Sequence, residues 1–317
     1  MTETRTPEEL PDIDQLYRFG FGSGQVRGVA VSVDRSWSTA GQGHDYPPAV
    51  AQLLGECVAA ALVMVATLKF EGRLILQFRG EGPISLLVVQ ARSDLSYRVT
   101  AQWSADLDAD ALDQSIQVLL GQGQMALTIE PADGVRYQSL VPIEGQRIAE
   151  ALEGYFRQSE QLPTRLELAA DAHRAVGLLI QQIPGEGGTP MVRHGAANDE
   201  FAHLSILVDT LDTPAGQAEL RTTPVPVLLH RLFHQDALGF TDIRPIRFYC
   251  GCSRAGVGNM LRSLGRTELE GALSDSEVPD HVSVRCEFCG QRYNFDAVDV
   301  EQILLDTSTE PPDATRH

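Results

Sequence analysis

The chain has 317 residues, which at roughly 100–200 residues per domain predicts two or three domains. Hydrophobic residues make up 43% of it, enough for a substantial core and too many for a chain disordered throughout. A formal net charge of −18 with a pI of about 4.8 opposes nucleic acid and anionic membrane as general partners.

The first ten residues, MTETRTPEEL, are polar and acidic, the wrong chemistry for a secretory signal. The longest apolar run, Cys57 to Leu68, is shorter than the about 20 residues that cross a bilayer. A cytoplasmic location is expected. Gln25–Val33 alternates apolar and polar residues and predicts a half-buried strand. Pro47 and Pro48 open an Ala-, Leu- and Met-rich segment to Phe70, which predicts a core helix buried on most sides. Strands are expected near Leu74–Phe78, Ser85–Gln90, Tyr97–Trp103, Met125–Glu130, Gln138–Ile143, Leu166–Ala170 and Ala175–Ile183. Helical periodicity covers Asp108–Leu120 and Gly145–Gln161, where Ile148, Leu152, Tyr155 and Phe156 share a face.

Many strands with few crossover helices argue for an α+β protein, its N-terminal mixed core domain built on a sizeable β-sheet. A turn-rich cluster at Pro184–Gly195 ends that domain, taken as 1–195. From 196 to 249 the pattern is helical in short pieces, such as Phe201–Leu211 and Val227–Leu232, interrupted by Pro214, Pro224, Pro226 and Pro245. Isolated helices under about 12–15 residues are marginal, so this segment is a metastable linker that must lean on a neighbour. A small cysteine-bearing module follows at 250–306, and a polar tail at 307–317 is expected to be flexible.

Five cysteines do not make a disulfide scaffold at this length. One stands alone at Cys57, expected to be a packing residue. The others form Cys250-Gly-Cys252 and, after a long gap, Cys286-Glu-Phe-Cys289-Gly. Two close-spaced pairs brought together supply four thiolates for one tetrahedral Zn²⁺ per chain. The second pair sits between strand-like Val282–Arg285 and Gln291–Phe295, with Gly290 to reverse the chain, as in a zinc-ribbon knuckle. The module has few large apolar residues beyond Met260, Leu261, Leu264, Leu269, Phe288 and Phe295, so metal binding must contribute to its stability. Four sulfur ligands leave no open position for catalysis, and no enzyme activity is expected.

Spacing alone leaves a redox-silent structural zinc and a redox-active one both open. A disulfide within Cys-x-Cys closes a very small, strained ring, and strained disulfides are readily reduced. Arg247, Arg254, Arg285 and Arg292 flank the pairs, and cations favour thiolate. His230 and His234 stand i,i+4, but Arg231 replaces the Glu of a zincin motif, so capping or solvated roles are expected. The glycines of Phe19-Gly-Phe-Gly-Ser-Gly-Gln25 precede a strand and lack a following Gly-Lys-Ser/Thr, which makes them a turn rather than a phosphate loop.

Several segments together resemble the 33 kDa chaperonin family of redox-regulated heat-shock holdases. They are Val26-Arg-Gly28, Tyr46-Pro47, Leu54-Gly-Glu56, Leu68-Lys-Phe70, Gly80-Glu-Gly-Pro83, Tyr137-Gln138, Tyr155-Phe-Arg-Gln-Ser-Glu-Gln-Leu-Pro-Thr164, Gly177-Leu-Leu-Ile-Gln181 and the cysteine pairs. Ser139, where the family carries glycine, and the Gly20–Gly24 stretch depart from it, away from the cysteines. The resemblance implies an ATP-independent chaperone, inactive when reduced and zinc-bound through Cys250, Cys252, Cys286 and Cys289. It implies Cys250–Cys252 and Cys286–Cys289 disulfides in the oxidised form, zinc release, unfolding of module and linker, homodimerisation, and capture of unfolding client proteins. Leu204, Leu207, Leu228, Leu232 and Phe233, with Ile206, Val208 and Leu229, are the expected client contacts. The alternative is a zinc-ribbon interaction or transcription-associated module with a redox-silent structural zinc. Its acids outnumber its arginines two to one from Cys250 onward, which opposes a nucleic-acid role.

Overall fold

A computed structural model describes residues 7–68, 70–107, 114–183, 196–274 and 281–305. The expected loop at Pro184–Gly195, the first half of the Asp108–Leu120 helix and the C-terminal tail lie outside them. The chain divides into two compact units, Met1–Tyr249 and Cys250–His317.

The larger unit is organised by its most apolar segment. After β1 (Gln15–Gly20), β2 (Val26–Val33) and α1 (Arg35–Gly41), helix α2 runs Pro48–Thr67 with Pro48 in its first turn. By length and composition α2 is apolar enough to cross a membrane, yet 94% of its apolar window is buried within the protein. It contacts strands of two sheets, which explains an apolar surface all round. Gly55 lets it approach the sheet closely, since a Cβ there would lie 2.6 Å from the Ala170 Cβ.

Next come β3 (Gly72–Gly80), β4 (Ile84–Arg92), β5 (Ser96–Trp103), α3 (Ile116–Leu119), β6 (Gly123–Pro131), β7 (Tyr137–Pro142) and α4 (Ile148–Tyr155). A π-helical turn (Phe156–Glu160) continues α4 and ends at Gln161 in the left-handed region. Then follow β8 (Thr164–Ala170), β9 (Ala175–Gln182), α5 (Ala196–Asp209), α6 (Pro214–Thr222), α7 (Val225–Leu232), β10 (Gly239–Pro245) and β11 (Arg247–Phe248). One sheet has the order β11-β5-β4-β3-β6-β7, the other β10-β1-β2-β9-β8. The periodic shared face of α4 is borne out: Ile148, Leu152, Tyr155 and Phe156 are all buried.

The strand expected to be half-buried, β2, is buried on both faces. Val29, Val31 and Val33 join the core around α2, whereas Val26 and Ala30 join a second apolar cluster with Tyr17, Phe19, Val176, Leu178 and Ile180. Helices α5 to α7 cover that second face with Leu204, Val208, Leu211, Leu220, Leu228, Leu229 and Phe233. Pro214, Pro224 and Pro226 open helices rather than interrupt them, and Pro245 ends β10. Thr213 caps α6 by accepting a bond from Gly216 N at 3.0 Å, with Pro214 in the first turn. The N-terminus of α7 is capped from far away, Val225 N donating to Asp12 Oδ1 at 2.7 Å. Arg174 donates to both Asp12 Oδ2 (2.9 Å) and the Thr223 carbonyl (3.3 Å). Residues 196–249 are also not helical throughout. β10 pairs antiparallel with β1, where Phe240 and Ile243 complete the apolar row beside Tyr17 and Phe19, and β11 pairs parallel with β5, where Phe248 packs on Tyr97.

The smaller unit contains α8 (Arg254–Leu264), α9 (Arg266–Ser274), the antiparallel pair β12 (His281–Arg285) and β13 (Arg292–Asp296), and α10 (Ala297–Leu305). Among the described residues its buried core is Leu261, Leu269, Val282, Phe295 and Val300. Met260 and Leu264, counted as core from sequence, are 43% and 52% exposed. A core of this size rarely holds a fold alone.

Candidate metal centre

The β12–β13 hairpin builds half of the site. Cys286 directly follows β12, its N–H donates to the Gln291 carbonyl (2.9 Å), and Gly290 N returns to the Cys286 carbonyl (2.8 Å). Gly290 has φ +70°, a conformation that costs glycine least. The turn directs the amides of Phe288 and Cys289 at the Cys286 sulfur and that of Gln291 at the Cys289 sulfur. The other half is the Cys-x-Cys segment before α8, where the Cys252 amide faces the Cys250 sulfur. Ser253 Oγ starts α8 by accepting from Gly256 N at 3.0 Å.

These halves bring all four sulfurs within 4.8 Å of one another. Cys250 Sγ lies 3.7 Å from Cys286 Sγ, and Cys252 Sγ 3.4 Å from Cys289 Sγ. Four sulfurs at about 2.3 Å from a tetrahedral ion would be separated by about 3.8 Å, so the cluster fits such an ion. Its electrostatics favour a cation too. Burial pushes Cys250 and Cys289 up, and the neighbouring sulfurs add to this. Burial also opposes ionisation of Cys286, but the Phe288 and Cys289 amides together with hydrogen bonds from the Cys250 and Cys289 thiols hold that thiol below its ordinary value. A divalent ion relieves the repulsion among the remaining thiolates.

Arg254, expected to support the thiolates, is engaged elsewhere. It donates to Asn294 O (2.6 Å) and Asp299 Oδ2 (2.7 Å) and lies 4.3 Å from the Phe295 ring centroid. Sulfur support comes instead from backbone amides and from one group that the sequence did not single out, the Tyr293 hydroxyl, 3.1 Å from Cys252 Sγ. Tyr293 and Phe295 alternate along a strand and read as core residues; nothing in that pattern shows where the phenol oxygen ends.

The remaining candidates belong to the larger unit and are not members of the sulfur cluster. Cys57 is buried in α2, and burial pushes its thiol well up. His234 Nδ1 lies 3.1 Å from the Arg231 carbonyl, a local contact one turn back. Of the expected client contacts, Leu204, Leu228 and Phe233 are buried, and Leu207 and Leu232 pack against the same cluster partly covered. Val208 and Leu229 are buried with them, whereas Ile206 is 66% exposed.

Known proteins match this arrangement over nearly its whole length. The family model described as Hsp33 protein matches residues 14–296. The 33 kDa chaperonin of Pseudomonas paraeruginosa is 42% identical over 305 residues, covering 96% of this chain and 99% of the relative. That of Nitrosococcus oceani is 38% identical over 304 residues, with the same coverage of both chains. The crystal structure of the 33 kDa chaperonin, a heat shock protein 33 homologue, from Thermotoga maritima superposes with a TM-score of 0.76. It covers 92% of this chain and 97% of that one at 22% identity, a likeness of fold. Sequence relatives and fold thus agree that the chain belongs to the Hsp33 family of chaperones.

Proposed function

We propose that this protein is a redox-regulated, ATP-independent holdase of the cytoplasm that binds unfolding proteins under oxidative stress. The observation that carries this reading is the four-sulfur cluster, Cys250, Cys252, Cys286 and Cys289, within a unit whose apolar core is very small. Bound Zn²⁺ would supply cross-linking free energy, with apparent values of about 10–16 kcal/mol in zinc-finger peptides. In the reduced chain the thiolates hold that ion and the client surface stays covered. Under hypochlorous acid or peroxide the thiolates oxidise to Cys250–Cys252 and Cys286–Cys289 disulfides. With peroxide, each pair gives up two electrons, and the peroxide with two protons leaves as two waters. A disulfide sulfur no longer carries the charge that binds the ion, so the unit loses its main support.

Residues 196–249, read as a linker between a core at 1–195 and a zinc-binding domain at 250–306, run directly into Cys250. Short helices α5 to α7 are held by packing and caps rather than by their own propensity. Their release would expose two complementary surfaces: Leu204, Leu207, Leu228, Leu232 and Phe233 on the helices, and Tyr17, Phe19 and Ile180 on the sheet they cover. The activated form is expected to be a homodimer. The test titrates peroxide while zinc release is followed with a chromogenic chelator and aggregation of a thermally unfolded client by light scattering. Oxidised protein should release one zinc and suppress aggregation, and reduced protein should do neither. Equal suppression by both forms overturns the switch.

A further inference from the structure

Three of the four sulfurs face backbone amides: Cys286 those of Phe288 and Cys289, Cys289 that of Gln291, and Cys250 that of Cys252. Backbone donors come with the turns and persist under side-chain substitution. At Cys252 the donor is a side chain from 41 residues away, the Tyr293 hydroxyl at 3.1 Å. Its position follows from the hairpin. Tyr293 pairs with Val284 across β12–β13 and shares its face with buried Phe295. The ring packs partly buried against the Leu261, Val282 and Phe295 core, and the hydroxyl emerges at the edge of that core, on the sulfur.

We propose that Tyr293 is a positioning residue that sets the oxidation threshold of the sulfur cluster, by donating a hydrogen bond to Cys252 and lowering that sulfur's nucleophilicity. The proposal rests on the reading of the cluster as a redox-switched metal site. A thiolate lone pair that accepts an O–H bond is less available to an electrophile, and hydrogen bonds to ligand atoms are an established lever on metal-site reactivity. For the bond to form between Cys252 sulfur and a peroxide oxygen, the O–H···S bond must weaken as the O–O bond breaks. The leaving oxygen takes a proton and departs as water, and sulfur, oxidised by two electrons, becomes a sulfenic acid. A neighbouring thiolate of the cluster then displaces that hydroxyl, which leaves as a second water after protonation, and a disulfide closes. The oxidant is the only co-reactant needed. The same phenol ties the Cys-x-Cys segment to the hairpin through a contact that does not require the metal.

Tyr293→Phe in the full-length chain keeps the ring and removes the donor. With Co²⁺ bound in place of Zn²⁺, the sulfur-to-cobalt charge-transfer band should move to lower energy. Under limiting hydrogen peroxide, thiol-alkylation mass spectrometry should show Cys252 modified about tenfold faster, at the lower end of the effects of ligand-supporting partners, with Cys286 and Cys289 changed less. A wild-type band and wild-type Cys252 rate in the variant overturn the proposal. So does an equal acceleration of all four cysteines, which is the signature of loosened packing. Fluorotyrosine placed at 293, a stronger donor of nearly the same shape, provides an independent measurement should Phe impair folding. It should slow Cys252, and an unchanged or faster rate counts against the proposal. Failure of wild-type protein to give any sulfur-to-cobalt band would instead remove the metal-site reading itself.

Discussion

Under the proposed function each of the four clustered cysteines would contribute one quarter of a donor set. Cys286→Ser swaps a thiolate, held ionisable by the Phe288 and Cys289 amides, for a hydroxyl that stays protonated and binds zinc poorly. Zinc retention against a competing chelator should fall by at least about a hundredfold, beyond the range seen for supporting partners alone. Cys57→Ser should leave zinc stoichiometry at one per chain, because Cys57 is buried in α2. A loss of zinc in Cys57→Ser, read with the same chelator, would contradict the ligand assignment. The gathering of the four cysteines was legible in the sequence because knuckle and Cys-x-Cys are local patterns. The phenol of Tyr293 was not, since a contact spanning 41 residues leaves no local trace. The arginines misled for the converse reason. Proximity in sequence suggested Arg254 as thiolate support, but an Asp299 carboxylate and a Phe295 face satisfy its guanidinium better.

At the level of elements, helices α5 to α7 and the face of the five-stranded sheet are mutually dependent, and a charged group is buried between them. Glu167 on β8 is fully buried and accepts from Arg147 Nη1 (3.1 Å), Arg147 Nη2 (3.3 Å) and Gln217 Nε2 of α6 (3.2 Å). Arg147 also meets Asp212 (3.0 Å), while Arg165 meets Glu153 (2.9 Å) and Asp209 of α5. Burial raises the Glu167 carboxyl to about 7, against the lowering by Arg147 and Arg165. A carboxyl raised in the folded state favours folding most when protonated. Its contribution is complete below the unfolded value of about 4.5 and is lost as pH rises through about 7. The urea midpoint of wild type should therefore fall between pH 5.5 and 8 relative to Glu167→Gln, in which that proton is absent. Parallel pH profiles for the two proteins would show that Glu167 stays ionised throughout. Little of this was legible in the sequence. The strands and α2 announced themselves by apolar pattern, but the polar ties of α5 to α7 join residues far apart in the chain. Three of the prolines that looked like interruptions, Pro214, Pro224 and Pro226, are N-terminal helix signals once a cap such as Thr213 or Asp12 is in place.

The whole molecule contains two stabilities of different origin. The larger unit buries a 20-residue helix between two sheets and a second apolar cluster beneath α5 to α7, so area removed from water dominates its stability. Among the described residues the smaller unit buries Leu261, Leu269, Val282, Phe295 and Val300, too little apolar area to offset the entropy of ordering its helices and hairpin. Its surface ion pairs, such as Arg266 with Glu301 and Arg254 with Asp299, are open to solvent and contribute little. A metal bound at the four sulfurs would add the cross-link that such a core lacks. Differential scanning calorimetry of reduced, zinc-loaded protein should therefore resolve two transitions. Stripping the metal with a chelator under reducing conditions should abolish or greatly lower the smaller one and leave the larger unit's β-sheet signal in far-UV circular dichroism. If chelation moved one shared transition downward as a whole, the two units would be a single cooperative body, and loss of the metal would be felt directly in the sheets. If the smaller transition kept its place after the metal was gone, the five buried side chains would suffice, and oxidation at the sulfurs would have no leverage on shape.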